Sequence, residues 1–400
     1  MLIRYEADSK GRPVKKAVIY TKNEHLISID KIDKDALHII SQLRIYGFDA
    51  YIVGGAVRDL LVNKEPKDFD IVTDATPSKI KKIFRNSRII GKRFRLVHVF
   101  FGSKIFEVST FRSISDGTVG NKFGTMDEDV QRRDFTLNAL YYDPMKEQII
   151  DYVDGVKDIR KGVIKPVIPL DLIFEEDPVR MLRAVKYAAT TGCKMPASLK
   201  RKICKSAHLL SPVSPSRLTE ELIKIINSGH AYEIIRFAMD VDIFMYLQPS
   251  ATAMMYADSE FEKKYFEHLK KLDELHAKHP DARLGQKLAF LIYAFTEGLT
   301  DWKKEVECNS APSEIYTMVW SQCRNFVLPM NPQRTELEYA IRYVLKDLGV
   351  GVYLPKKKKT SSNANNSSAK KTEPERKKKR YNKYISEKKT VKDLASLQNP

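Results

Sequence analysis

The stretch that most constrains this chain is YIVGGAVRDLLVNKEPKDFDIVT, residues 51–73. Tyr51, Ile52 and Val53 are strong strand formers, and Gly54-Gly55 behind them lets the backbone turn sharply and come close to a ligand. Val57, Leu60 and Leu61 then recur at helical spacing until Lys64-Glu65-Pro66 interrupts the pattern. Asp68 and Asp70 follow with Phe69 between them. On a strand both carboxylates share one face, while Phe69 and Ile71 take the other. Two carboxylates side by side repel and raise one pKa, a conflict that a bridging divalent cation resolves. A Gly-Gly turn facing such a pair can hold a triphosphate by backbone N–H groups while Mg²⁺ bridges carboxylates and phosphates.

Taken singly, a Gly-Gly is an ordinary turn, an Asp-x-Asp is an ordinary solvated edge, and Arg58-Asp59 is an ordinary surface pair. The order GG, then VRD, then DFD within one short strand–helix–strand unit is far more specific. It resembles the nucleotidyltransferase superfamily of the polymerase β kind, in the branch that holds bacterial tRNA CCA-adding enzymes and poly(A) polymerases. The resemblance implies that Asp68 and Asp70 hold two Mg²⁺ ions and that Gly54, Gly55 and Arg58 meet the triphosphate of ATP. In the strand pattern at residues 105–110, Glu107 alternates with Phe106 and Val108 and so faces away from them. That makes it a weaker, third candidate metal carboxylate beside the reading of a solvated strand face.

Three further segments carry the resemblance. Gly91-Lys92-Arg93-Phe94-Arg95-Leu96-Val97-His98-Val99 puts three cations and a ring into four positions, a composition that suits a basic turn or an RNA contact combining phosphate binding with base stacking. It looks like the segment that separates bacterial poly(A) polymerases from their CCA-adding relatives, which implies RNA binding by Lys92, Arg93, Phe94 and Arg95. Residues 112–130 hold three glycines with little apolar periodicity and read as a mobile loop beside the site. Arg132-Arg133-Asp134-Phe135-Thr136-Leu137-Asn138-Ala139 reads as a helix start and resembles the family's RRDFTxNA motif. The match implies that Asp134 meets the ribose as a catalytic-site residue, that Arg133 meets a phosphate, and that Asn138 supports the site.

Glu175-Glu176-Asp177-Pro178-Val179-Arg180 predicts a well-initiated helix, with Asp177 as N-cap and Pro178 in the first turn. Glu176, Arg180, Arg183 and Tyr187 then form one polar stripe over the apolar stripe of Met181, Leu182, Val185 and Ala189. An i,i+4 Glu–Arg pair accounts for such a stripe on a solvated helix. Yet EDPVR also resembles the family's EDxxR motif, which implies that Asp177 and Arg180 read the Watson–Crick edge of the incoming base, with Arg183 on the same nucleotide-binding face. A carboxylate accepts from an exocyclic amine and a guanidinium donates to a ring nitrogen, so a fixed pair can select a base without a template.

Beyond Ser214 the pattern is helical: Leu218, Leu222, Ile225 and Ile226 mark a helix with Glu220 and Glu221 on its outer side, and helical spacing continues at 230–248, 255–279, 282–299, 312–326 and 335–348. Residues 356–400 carry 15 Lys and Arg against 4 Asp and Glu, so +11 of the chain's +18 lies in the last 45 residues. Low hydrophobicity and high charge predict a disordered tail with affinity for a polyanion. Cys193, Cys204, Cys308 and Cys323 lack metal-ligand spacing and predict reduced thiols. The longest strongly apolar stretch, Leu288 to Phe295, is too short to span a bilayer, and a cytoplasmic location is expected.

The organisation expected is an α/β polymerase-β-like nucleotidyltransferase head followed by all-α domains and a disordered basic tail. Its parts are a loosely attached N-terminal extension (1–34), the head (35–165), a helical base-recognition and RNA-binding segment (166–230), a helical RNA-binding region (231–350) and the tail (351–400). The reaction the resemblance implies is template-independent addition of AMP from ATP to RNA 3′ ends with release of pyrophosphate, with RNA-decay machinery as a further partner class. A tRNA CCA-adding or A-adding transferase shares every motif but the GKRFRLVHV run. A non-catalytic RNA-binding protein predicts a lost carboxylate or a broken glycine turn, and this chain keeps both.

Overall fold

β-Branched and aromatic residues cluster where the head needs strands, and most of those strands join one sheet. The computed structural model describes residues 2–7, 11–91, 96–113, 123–299 and 311–351. Lys92, Arg93, Phe94, Arg95, part of the 112–130 loop and nearly all of the basic tail lie outside the described residues. The strands are β1 (Leu2–Ala7), β2 (Pro13–Thr21), β3 (Ala50–Val53), β4 (Asp70–Thr73), β5 (Ser87–Ile90), β6 (Leu96–Phe101), β7 (Lys104–Thr110), β8 (Leu140–Asp143) and β9 (Gln148–Asp151). They assemble in the order β1-β2-β9-β8-β3-β4-β7-β6-β5. Only the β4–β7 pairing is parallel.

Register decides what the sheet presents. Val53 pairs with Asp70, so the Gly54-Gly55 turn leaves β3 beside the first residue of β4. Ile71 pairs with Val108 in the parallel ladder, which brings Glu107 alongside Asp70. β3 is buried along its whole length, as expected for a central strand of continuous apolar residues.

The helices of the head are α1 (Lys22–His25), α2 (Lys34–Ile45), α3 (Gly55–Leu61), α4 (Pro77–Ile83), α5 (Met126–Gln131) and α6 (Gly155–Lys161). One face of the sheet packs on Ile39, Ile40 and Leu43 of α2, Val57 and Leu60 of α3, and Ile80 of α4. The other face buries Tyr51, Val53, Val72, Phe111 and Tyr141 with Val130 of α5.

Two expectations for the head need correction. Residues 1–34 are no loosely attached extension, because β2 pairs with β9 and buries Ala17, Val18 and Tyr20. Its partner strand lies some 130 residues away, so nothing local in the sequence announces the pairing. The Arg133–Leu140 segment is not a helix start but a 3-10 turn, Thr136–Asn138, that runs straight into β8. The 112–130 segment also ends in structure: α5 opens with a capping box in which the Thr125 N–H donates to Glu128 and the Glu128 N–H donates to the Thr125 hydroxyl.

The regular elements beyond the head are helices joined by turns and loops: α7 (Ile173–Glu176), α8 (Arg180–Thr191), α9 (Ala197–Ser206), α10 (Pro215–Ile226), α11 (Ala231–Asp240), α12 (Pro249–Ala257), α13 (Ser259–Lys278), α14 (Leu284–Gly298), then Pro312–Phe326 and Arg334–Asp347. A continuous apolar core joins Phe135 and Phe174 to Met181 and Val185 of α8 and onward to Val344 and Leu345. The expected 255–279 helix is divided, because Asp258 ends α12 and caps α13 by accepting from the Glu260 N–H at 2.9 Å. Glu221, expected on the outer side of α10, is buried and paired with Lys224 at 2.7 Å. Among the described residues no helix is long and apolar enough to cross a membrane.

Candidate active site

A cleft of about 860 Å³ opens where the head meets α8 and α10. Gly54, Gly55, Arg58, Asp68, Asp70, Arg133, Asp134, Asn138, Asp177, Arg180 and Arg183 all line it. Residues separated by up to 130 positions thus converge on one cavity. Glu107 does not line it, and Lys92–Arg95 fall outside the described residues.

Gly54 sits at φ +76°, a conformation that side-chain-bearing residues rarely adopt, and a Cβ there would lie 4.0 Å from both Asp70 Oδ2 and Arg133 Nη1. The turn therefore places bare backbone against the carboxylate that opens β4. Asp68 stands just before β4 in extended chain rather than within the strand, yet reaches the same cleft. Crowding pushes the Asp70 carboxyl up to about 6: burial is the largest cause, followed by the negative charges of Glu107 and Asp68, with Arg133 opposing. His98 Nε2 lies 3.5 Å from Glu107 Oε1. Among the described residues no group of three or more His, Cys, Asp or Glu side chains is gathered closely enough to hold a metal ion unaided.

The cations are held by a second set of residues. Arg133 donates to Asp129 Oδ2 from Nη2 at 2.8 Å, to the Tyr141 hydroxyl from Nε at 2.9 Å and to the Asn138 carbonyl from Nη1 at 3.3 Å. Burial works against this cation, but Tyr141 and Asp129 outweigh it and raise the Arg133 pKa. Arg58 donates from Nη1 to Asn138 Oδ1 at 2.8 Å, pairs with Asp59 and lies 5.5 Å from the Tyr187 ring centroid. Asn138 thereby orients two arginines, one by its side chain and one by its carbonyl.

Asp134 is 4 % exposed and uses Oδ1 to accept from the Phe135 N–H at 2.8 Å. Its Oδ2 lies 3.0 Å from Arg183 Nη2 without hydrogen-bond alignment, so a buried acceptor remains free at the cleft wall. Such an atom suits a ligand hydroxyl.

α8 starts at Arg180 rather than directly after Asp177, although the Asp177 carboxylate still accepts from the Val179 N–H at 3.2 Å. Arg180 is anchored by Glu176 at 2.9 Å and by the carbonyls of Ile173 and Arg132. The i,i+4 pair read from the sequence is present, and it fixes the guanidinium at the cleft rather than leaving it on an open helix face. Both oxygens of Asp177 lie 2.9 Å from Arg217 Nη2 on α10.

Residues 50–165 match the family described as Poly A polymerase head domain, and residues 193–255 match the one described as Probable RNA and SrmB- binding site of polymerase A. Poly(A) polymerase I of Escherichia coli is 38 % identical over 309 residues, 72 % of this chain and 66 % of its own length. The CCA-adding enzyme of a Geobacillus species is 33 % identical over 289 residues, 68 % of each chain. The chain belongs to the tRNA nucleotidyltransferase/poly(A) polymerase family. It spans slightly less than two thirds of the E. coli relative and 63 % of Poly(A) polymerase I from Haemophilus influenzae, to which it is 36 % identical. Among solved structures, the Bacillus stearothermophilus CCA-adding enzyme in complex with CTP superposes with a TM-score of 0.55 at 27 % identity, covering 79 % of this chain and 78 % of that one. A CCA-adding enzyme with ATP, at 20 % identity and a TM-score of 0.56, shares the fold.

Sequence reasoning missed Asp129 and Tyr141, which hold Arg133, and Arg217, which holds Asp177. The Thr125-x-x-Glu128 capping box could have flagged the helix that carries Asp129. Nothing local ties Arg217 to Asp177, 40 residues earlier. Lys186 was also passed over, although it lies one turn beyond Arg183 on α8 and lines the cleft.

Proposed function

We propose that this chain is a template-independent RNA nucleotidyltransferase that joins AMP from ATP to an RNA 3′-hydroxyl and releases pyrophosphate. The observation that carries the proposal is the single cleft in which Asp68 and Asp70, the Gly54 turn and the Asp177–Arg180 pair meet. The match to Poly(A) polymerase I of E. coli, 38 % identical over 72 % of this chain, against 37 % over 50 % for a CC-adding tRNA nucleotidyltransferase and 33 % over 68 % for the Geobacillus CCA-adding enzyme, favours polyadenylation over CCA addition. A cytoplasmic location and an RNA-decay partner are further parts of the proposal.

Asp68 and Asp70 fit a pair of Mg²⁺ ions. Burial, then the negative charges of Glu107 and Asp68, push the Asp70 carboxyl up to about 6, a strain that a divalent cation relieves, and triphosphate oxygens would complete the ligand set that two carboxylates leave open. Bound there, Mg²⁺ supplies charge neutralisation for in-line phosphoryl transfer. Glu107 faces Asp70 from the neighbouring strand and serves in this account through its charge. Gly54 and Gly55 bring backbone to the triphosphate, and Arg58 and Arg133, each oriented by Asn138, offset its charge. Free Oδ2 of Asp134 accepts from a ribose hydroxyl. Asp177 and Arg180, both anchored, present one acceptor and one donor group to the base edge, and a rigid pair of that kind accepts the amine and ring nitrogen of adenine or cytosine while rejecting guanine and uracil.

The test is to sequence the products made from a generic RNA and from a tRNA ending before CCA, with ATP alone and with CTP added. Long A tracts on both substrates support the proposal. Additions confined to the tRNA and ending as CCA, or as a single A, would assign the chain to the other branch of its family.

A further inference from the structure

We propose that Lys186, assisted by Lys224, binds a backbone phosphate of the RNA 3′ end on the α8–α10 wall of the cleft. This rests on the RNA nucleotidyltransferase reading and adds to it a site for the second substrate.

The argument begins with pairing. Along this wall Arg183 is matched with Asp134 at 3.0 Å and Lys224 with Glu221 at 2.7 Å. Lys186 is half-buried between them, and among the described residues its ammonium makes no hydrogen bond and no ion pair. The ammonium lies 5.1 Å from the centroid of the Tyr187 ring, and the charges of Glu221, Arg183, Lys224 and Asp134 act on it without pairing. An ammonium drawn partly out of water without a counter-ion is a costly arrangement, and one facing a cleft asks for an anion. Burial lowers the Lys186 pKa to about 8, with Glu221 opposing and Arg183 and Lys224 adding to the fall. A bound phosphate would reverse that shift.

Two phosphate sources meet in this enzyme, and charge separates them. The triphosphate has Gly54, Gly55, Arg58, Arg133 and the carboxylate pair at the head. The surplus on the α8–α10 wall is a single positive charge, which matches the single negative charge of a phosphodiester. Lys224 also belongs to the segment 193–255 that matches a probable RNA-binding family, and its side chain, 55 % exposed and held by Glu221, lines the same cleft.

The probe is a short fluorescent oligoadenylate, bound to the full chain across a salt series, beside ATP binding followed by calorimetry. Lys186→Gln should weaken oligoadenylate binding about fourfold at 0.15 M salt and reduce the slope of log affinity against log salt by about 0.7, the increment of one phosphate on a single strand. ATP affinity should stay within about twofold, since the triphosphate has its own contacts. Lys186→Arg should restore both RNA quantities, which a purely packing role for the stem would not. Lys224→Gln, which keeps a hydrogen-bond donor for the buried Glu221, should reproduce part of the loss, and urea unfolding run beside it separates any cost to the fold from the loss of RNA affinity. An unchanged slope in both Gln variants, or a loss that falls on ATP instead of RNA, overturns the assignment. If the wild-type protein binds oligoadenylate through Lys186 yet adds no AMP, the polymerase reading fails while the phosphate site stands.

Discussion

Replacing Asp129 by Ala asks whether Arg133 is held at the cleft by a buried counter-charge. Asp129 is 6 % exposed, and its Oδ2 accepts from Arg133 Nη2 at 2.8 Å, from Arg133 Nε at 3.2 Å and from the Tyr141 hydroxyl at 2.7 Å. Its Oδ1 accepts from the Arg112 N–H at 3.3 Å. Removing this carboxylate strands a largely buried cation and a buried hydroxyl, and losing one partner of a buried pair costs about 3–5 kcal/mol. Asp129→Asn keeps an acceptor but not the charge, so it should cost less, about 1–3 kcal/mol. The double variant Asp129→Ala/Arg133→Met removes both charges and should cost less than the sum of the two single changes by at least ~1 kcal/mol. Urea unfolding, monitored at the head transition, measures the wild type, Asp129→Ala, Asp129→Asn, Arg133→Met and the double variant. Destabilisation below ~1 kcal/mol in Asp129→Ala, or strict additivity in the double variant, would refute the reasoning. If the pair also aims Arg133, the Asn variant should raise KM for ATP while leaving RNA affinity alone.

Asp68→Ala or Asp70→Ala should reduce AMP incorporation by about 10²-fold or more, because each removes charge stabilisation at the reacting phosphate; near-normal turnover with Mg²⁺ would sink the metal assignment. Arg180→Ala should cost about 1–3 kcal/mol of discrimination for ATP over GTP and UTP, whose edges the Asp177–Arg180 pair does not match, read from kcat/KM ratios. A wild-type preference in that variant would reduce the Glu176–Arg180 pair to a structural role. Truncation after Gly351 should leave circular dichroism and AMP addition at saturating RNA in place while making the salt dependence of RNA binding shallower. An unchanged salt slope would show that the tail does not touch RNA.

What was legible in the sequence was what its local spacing determines. Gly54-Gly55, Asp68 and Asp70 lie within 17 residues, and strand–turn–helix–strand geometry brings them together with little help from elsewhere. Arg133, Asp134 and Asn138, like Asp177, Arg180 and Arg183, announced themselves as compact groups on one turn or one helix. The illegible parts depend on partners chosen by the tertiary fold. β2 carries the short apolar run Ala17-Val18-Ile19-Tyr20, and its pairing with β9 follows from sheet order that no neighbouring residue encodes. Asp134 looked like a residue at a helix start because Phe135, Leu137 and Leu140 carry apolar side chains at plausible helical spacing. The same residues serve a 3-10 turn and a fully buried strand equally well. Lys186 went unremarked because a lysine on an amphipathic helix is ordinary, and only the fold shows that its neighbours are already paired.

The central claim is that the cleft built from Gly54, Asp68, Asp70, Asp177 and Arg180 adds AMP to RNA without a template. The most direct measurement incubates a generic RNA with equal amounts of ATP, CTP, GTP and UTP plus Mg²⁺ and sequences the 3′ additions made by the wild-type protein and by Asp70→Asn. The account predicts adenosine tracts from the wild type and none from the variant. Mixed additions, or adenosine tracts that persist in Asp70→Asn, would contradict it.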